Sequence, residues 1–203
     1  NQVGSGTITA NPLPAGIPNE TGNIEVILDE DNSTISYLKI VDVNNLSSGY
    51  VFDESNHEII DHTMTTDETF DLCAAGFNDD GIFISNVSAT WSKSGSLDNV
   101  SGTSECLTFS PTTANTAGTI TAEATNITSD ATQTITVNAG DIVSIKLLKT
   151  SDGDDSNEIN NPETLTTVET LSLWAAGYDN DGNFKENVNS IWTNENLSPF
   201  ISE

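Results

Sequence analysis

A chain of 203 residues with 35% hydrophobic residues is long enough for one or two domains with real cores. Its 31 acidic residues face five lysines and no arginine, a formal charge of −26 that repels phosphate backbones and anionic lipid, so the composition excludes nucleic acid as a partner and membrane insertion. No run approaches the ~18 apolar residues of a membrane helix, and the opening NQVGSG lacks the basic and apolar regions of a signal peptide, so a secreted form would have shed its signal already.

Along the chain, apolar and polar residues alternate in short runs: GTITA from Gly6, NIEVILD from Asn23, ISYLKIVD from Ile35, ETFDLCAAGF from Glu68 and SATWSKS from Ser88. The series continues with ECLTFSP from Glu105, GTITAEA from Gly118, TQTITVN from Thr132 and IVSIKLLKT from Ile142. Clusters of Asn, Asp, Gly, Ser and Thr separate these runs, and no segment keeps a helical period. Many short strands with frequent turns predict an all-β chain of immunoglobulin-like antiparallel β-sandwiches.

The chain also repeats itself. DLCAAGFNDDGIFISNVSATW, ending at Trp91, returns as SLWAAGYDNDGNFKENVNSIW, ending at Trp192, and GTITA occurs at Gly6 and at Gly118. The period is a little over one hundred residues. Residues 31–139 read as one complete unit, 1–30 as the back half of another with candidate donor strands, and 140–203 as a front half. Cys73 and Cys106 both fall in strand-like segments of the complete unit, where a disulfide could pin two sheets together, the alternative being two buried thiols. Trp174 stands where Cys73 stands in the other copy, so that position reads as a core site.

Ala74-Ala75-Gly76, Asp80-Gly81, Trp91, the FSPTTANTAGTITA run from Phe109 and TITV from Thr134, then Ala175-Ala176-Gly177, Asp181-Gly182 and Trp192, resemble the tandem immunoglobulin-like repeats of large bacterial and archaeal surface proteins. The resemblance spans nearly the whole chain. It implies an extracellular or cell-surface location and a role as spacer, stalk, filament or adhesin. The cysteine pair departs from a typical repeat.

Asp179, Asp181 and Asn183 alternate oxygen donors as a calcium loop does. An EF-hand needs glycine at its sixth position and glutamate at its twelfth, whereas Gly182 is fourth. The other reading is an Asp-Gly hairpin turn, and the copy at Asn78-Asp79-Asp80-Gly81-Ile82 favours it, because the turn persists there while two donors are lost. Asp152, Asp154 and Asp155 form a second acidic group near a domain end, where calcium could stiffen a junction or where an acidic loop is simply solvated. Asn19, Asn32, Asn45, Asn86, Asn99, Asn126 and Asn196 begin N-glycosylation triplets, in a chain rich enough in Asn, Ser and Thr to produce most of them by chance.

For catalysis the sequence offers His57 and His62, read as loop residues with no triad or zinc spacing, so it reads as no enzyme. Trp91 and Trp192 read as core rather than as sugar-stacking platforms. Half a sandwich exposes an apolar face. The expected remedy is head-to-tail assembly, with residues 1–30 of one copy completing residues 140–203 of the next, although a counterpart of Ser104–Pro111 is present at neither end. The alternatives are adjacent repeats in a longer surface adhesin, or a glycan-binding module. Neighbouring copies, adjacent repeats or glycans are the partners these readings imply.

Overall fold

The alternating runs become strands. The computed structural model describes residues 2–10, 20–28, 34–42, 61–166 and 168–193, which form sixteen strands and one short 3₁₀ turn, with no α-helix among them. The first two, β1 (Gln2–Ala10) and β2 (Glu20–Leu28), pair with each other as an antiparallel hairpin.

Eleven strands, β3 to β13, form the central body: β3 (Tyr37–Asp42), β4 (His62–Thr65), β5 (Phe70–Phe77), β6 (Phe83–Asn86), β7 (Ala89–Lys93), β8 (Gly102–Ser104), β9 (Cys106–Phe109), β10 (Thr116–Gly118), β11 (Ile120–Ala124), β12 (Ile127–Ala131) and β13 (Ile135–Asn138). Strand β5 pairs antiparallel with β3 along one edge, and with β6 and β9 along the other. Opposite it, β11 pairs with β12 and β7, and β7 with β8, while β13 pairs antiparallel with β10 and parallel with β4. A single parallel bridge, Thr128 to Tyr37, joins the β5 and β11 groups into one eight-stranded sheet that curls back on itself, while β10, β13 and β4 form a separate three-stranded sheet, in a sandwich-like arrangement.

Strand periodicity decides what fills the interior. Leu38 and Ile40 of β3, Leu72 and Ala74 of β5, Trp91 of β7, Ile120 and Ala122 of β11, and Ile135 and Val137 of β13 meet in one cluster with Met64, Phe70 and Phe109. The Trp91 indole donates to the Ser104 carbonyl at 3.0 Å, which allows a ring with a polar edge to sit in an apolar core. The alternate residues of β3 and β5, namely Val41, Cys73, Ala75 and Phe77, build a smaller cluster on the outer face, with Tyr37 and Phe83 against it.

The C-terminal sheet contains β14 (Ser144–Leu148), β15 (Trp174–Tyr178) and β16 (Phe184–Asn187), in that order. It copies β3, β5 and β6. Leu38 lies opposite Gly76, and Ile145 opposite Gly177. The Phe77–Phe83 edge contact, with centroids 5.9 Å apart, recurs between Tyr178 and Phe184 at 5.9 Å. At Gly76 and Gly177 an added Cβ would lie 2.7 Å from the Val87 side chain in one and the Ile142 side chain in the other, so a larger residue would require those neighbours to move.

Two expectations change here. Cys73 and Cys106 are bonded, but they are directly opposed on β5 and β9, so the disulfide ties neighbouring strands of one sheet rather than the two layers of the body. Alternation turned Cys73 outward between the inward Leu72 and Ala74. His62 is not a loop residue either; it opens β4, with its ring stacked on Phe70 at 4.2 Å.

The bond spans 33 residues of sequence, and chain-entropy reasoning for a loop of that size assigns it about 4 kcal/mol. Reduction, or the C73A/C106A double substitution, is therefore expected to lower the urea-unfolding free energy of the central body by an amount of that order. Matched unfolding curves with and without reductant check it.

Candidate functional site

Two features stand out in the arrangement of the bodies: a polar junction between the central body and the C-terminal sheet, and an open apolar face beyond it.

The junction grows from the repeated turn. In the first copy Asn78 caps it, its Oδ1 accepting from the Asp80 amide at 3.1 Å and from the Ile82 amide at 2.8 Å, and Gly81 takes φ +78°. In the second, Asp179 Oδ1 accepts from the Asp181 and Asn183 amides at 3.0 and 2.7 Å, and Gly182 takes φ +85°. Glycine is needed there because other residues strain at positive φ. The turn reading thus holds in both copies.

What differs is the use of the remaining oxygens. Asp179 Oδ2 accepts from the Thr66 hydroxyl at 2.7 Å and from the Gly140 amide at 3.0 Å. Asn183 donates to Asp179, donates to the Thr112 carbonyl at 2.9 Å and accepts from the Ala114 amide at 3.0 Å. Asp98 holds that receiving segment in place by accepting from the Thr112 and Thr113 amides. On the linker side, Asp67 accepts from the Asp141 amide, and Asp141 pairs with Lys185. The chain from Ala139 to Asp141 is therefore clamped between Thr66-Asp67 of one body and Asp179 of the other.

Asp179 is buried. Burial works to raise its pKa, but the donors that converge on it, Asn183 first and then Thr66 and Gly140, prevail and hold it down at about 2. Sequence reasoning singled out Asp179 and Asn183 as oxygen donors, and the structure gives those oxygens to backbone and hydroxyl hydrogens. A cation there would have to displace Thr66 and Gly140. Asp152, Asp154 and Asp155 serve a wrap over the outer face of the C-terminal sheet. Asp152 accepts from Thr150, Asp154 caps the 3₁₀ turn, and Asp155 pairs with Lys146, while Tyr178 donates to the Gly153 carbonyl at 2.9 Å. No group of three or more His, Cys, Asp or Glu side chains that could hold a metal occurs among the described residues.

The open face lies on the other side of the C-terminal sheet. Its outer cluster is intact, with Leu148, Ala176 and Tyr178 buried as their counterparts are. Its inner face is bare. Ile145 is 54% exposed where Leu38 is 1%, Leu147 is 43% where Ile40 is 2%, and Trp192 is 41% where Trp91 is 2%. Leu165 and Leu173 are exposed as well, in positions matching buried Met64 and Leu72. Trp192 thus shares the position of a core tryptophan but not its surroundings, and Trp174, half-buried, is not in a closed core.

Of the glycosylation candidates, Asn99 and Asn126 are exposed, Asn126 at a positive-φ turn, while half-buried Asn86 contacts the Cys106 sulfur. Asn19, Asn32, Asn45 and Asn196 lie outside the described residues, as does His57. A depression of about 330 Å³ borders His62, Glu68 and Asp71, but the imidazole is stacked on Phe70 and Glu68 is bonded to the Thr65 amide. Comparison with family models, with curated proteins and with solved structures gave no match to this chain.

Because the Asp179 pKa is depressed in the folded protein, its contribution is present above the ordinary carboxylate pKa and is lost as the pH falls from about 4 towards 2. D179N directs an amide group at the Thr66 and Gly140 donors and is expected to weaken docking of the C-terminal sheet by about 1–3 kcal/mol. Hydrogen exchange of the Gly140 and Asn183 amides, measured in both proteins between pH 7 and 2.5, checks both statements. Equal protection in the two proteins at pH 7 would contradict them.

Proposed function

We propose that this protein is a non-catalytic structural subunit of an extracellular filament or stalk. It would be built from tandem immunoglobulin-like units, with the β1–β2 hairpin of one copy completing the half unit of the next. The observation that carries this reading is the bare inner face of β14 and β15, whose counterparts in the central body are covered by β7, β11 and β13. An exposed apolar sheet face of this kind marks an interaction surface.

Three further features support it. The hairpin β1–β2 repeats GTITA of β10–β11 and the pairing of β10 with β13, part of the group that covers the same face in the central body, although the central-body ladder shifts by one residue before β12 and the hairpin does not. The disulfide suits an oxidising compartment outside the cell. High negative charge keeps separate filaments from clumping through their sides. The strand order also supports the immunoglobulin-like reading: the opening strands split between the two layers, β3 pairing with β5 and β4 running parallel to β13. A head-to-tail contact that does not close on itself propagates as a fibre.

A second reading is favoured by the Asp179 junction, which docks consecutive units of one chain on each other. In a long surface adhesin of many such units, the face of β14 and β15 would be covered by the same polypeptide, and loops at the unit ends would be free to meet glycans.

Electron microscopy and sedimentation over a concentration series separate the two. The full chain is expected to form regular fibres, and a chain lacking residues 1–30 to remain monomeric. If both stay monomeric at every concentration, the filament reading fails and the array reading stands.

A further inference from the structure

The C-terminal sheet repeats β3, β5 and β6, but among the described residues it has no strand matching β4. Residues 163–166 occupy that place in the sequence and take part in no strand pairing. Their C-terminal anchor is nevertheless repeated: Glu68 accepts from the Thr65 amide at 2.7 Å, and Glu169 from the Thr166 amide at 2.7 Å. In the central body β4 has a single partner, β13, in the parallel register His62 to Ile135, Thr63 to Thr136, Met64 to Val137 and Thr65 to Asn138. Segment 163–166 is therefore tied at both ends, by the Glu163–Lys149 ion pair and by Glu169, and has no strand partner among the described residues.

The matching partner lies at the other end of the chain. In β1–β2, Gly4 opposes Val26 and Gly6 opposes Ile24, as Thr116 opposes Val137 and Gly118 opposes Ile135. Further along, past a one-residue shift in the central-body ladder that the hairpin lacks, Ala10 opposes Glu20 as Ala122 opposes Asp130. By this register Ile24–Ile27 occupy the place of the β13 residues that take up β4, and Glu20 occupies the place of Asp130. The Asp130 carboxylate accepts from Lys39 Nζ at 3.5 Å and from the Ile40 amide at 2.8 Å, tying the hairpin to β3. Lys39 and Ile40 recur as Lys146 and Leu147, which oppose Ala176 and Ala175 as Lys39 and Ile40 oppose Ala75 and Ala74. In a chain with five lysines and 31 acidic residues, a lysine kept at this position with an acidic residue at the matching hairpin position is a specific charge complement.

We infer that residues 163–166 are the acceptor edge for β2 of a second copy, in parallel register Glu163 to Ile24, Thr164 to Glu25, Leu165 to Val26 and Thr166 to Ile27. Glu20 of that second copy meets Lys146 and the Leu147 amide. Val26 is thereby placed beside Leu165 over the bare face, as Val137 lies beside Met64. Lys146 leaves its partner Asp155 to do this, exchanging one carboxylate for another. The inference rests on the filament reading and adds its register.

Disulfide trapping in the full-length chain tests it, since the native cysteines are bonded to each other and introduced thiols are the free ones. Mixing the single variants E25C and T164C under mild oxidation is expected to give a dimer, and the E25C/T164C double variant a ladder of linked multimers. Pairing E25C with E163C, one residue out of register, should link poorly. In parallel, K146E and E20K are each expected to weaken association at least about tenfold, with recovery when the two proteins are mixed. Fibres that form without the E25C–T164C link, or that link better at E163C, overturn the register and leave the filament reading standing. A linked monomer means that β2 closes on its own chain and overturns exchange between copies. Absence of any association overturns both.

Discussion

A β-sheet with one apolar face has to be covered, and nearly everything in this protein follows from that requirement. In the central body the face of β3 and β5 is covered by strands that the same chain supplies later, so Leu38, Ile40, Leu72 and Trp91 share a closed core. At roughly 25 cal/mol per Å² of apolar surface, covering such a face is the main favourable term in folding a domain of this size. The C-terminal sheet has the same face and lacks its cover among the described residues. Its stability has to come from elsewhere, and the structure provides two sources. The outer cluster of Leu148, Ala176, Tyr178 and Phe184 is sealed by the 149–158 wrap, where Gly153 fits under the Phe184 ring because a Cβ would come within 2.1 Å of it. The turn at Asp179 then docks the sheet on the central body.

That docking combines charge-assisted hydrogen bonds to the Asp179 carboxylate with neutral ones through Asn183. A carboxylate buried with several donors is stable only while all of them remain aimed at it, since removing any one leaves a buried group unpaired. Such a contact is selective in direction where an apolar contact would tolerate sliding, and it fixes the angle between the two bodies. A spacer or filament needs that property, because stiffness along its length depends on joints whose angle does not drift.

Much of this was legible in the sequence, because alternation and repetition are local signals. The strands around Trp91, Ile120 and Ile135 follow from period two, and the copy at Trp192 announced the second sheet. Alternation does not mark β4, β6, β8 or β12 as strands. They are three to five residues long, and Thr63, Ser85, Thr103 and Thr128 give them the look of turns; their pairing comes from neighbours distant in sequence, which override weak local preference. The disulfide partners were legible as well, but the layer they tie was not, because it depends on which way Cys73 faces in a strand buried on both sides. At the junction the residue types were visible and their use was not. Asp179 and Asn183 stood out as oxygen donors, yet nothing local says that Thr66 and Gly140 will be waiting for them.

The two copies of the turn also show how a repeat protein can vary its joints without disturbing its folds. The bonds that make the turn, from the side-chain oxygen of Asn78 or Asp179 to the amides two and four residues on, are the same in both. The atoms that leave the turn are different: Asn183 reaches Thr112 and Ala114, while Ile82 at the matching position is exposed and apolar. Substitution at these outward atoms changes what the next body meets and leaves the hairpin intact. The open face depends on the opposite arrangement, in which the inward positions stay apolar from copy to copy and the variable element is the source of the covering strands. A chain that keeps its inner faces apolar and varies its turns changes its joints while each unit presents the same kind of face to whatever strands cover it.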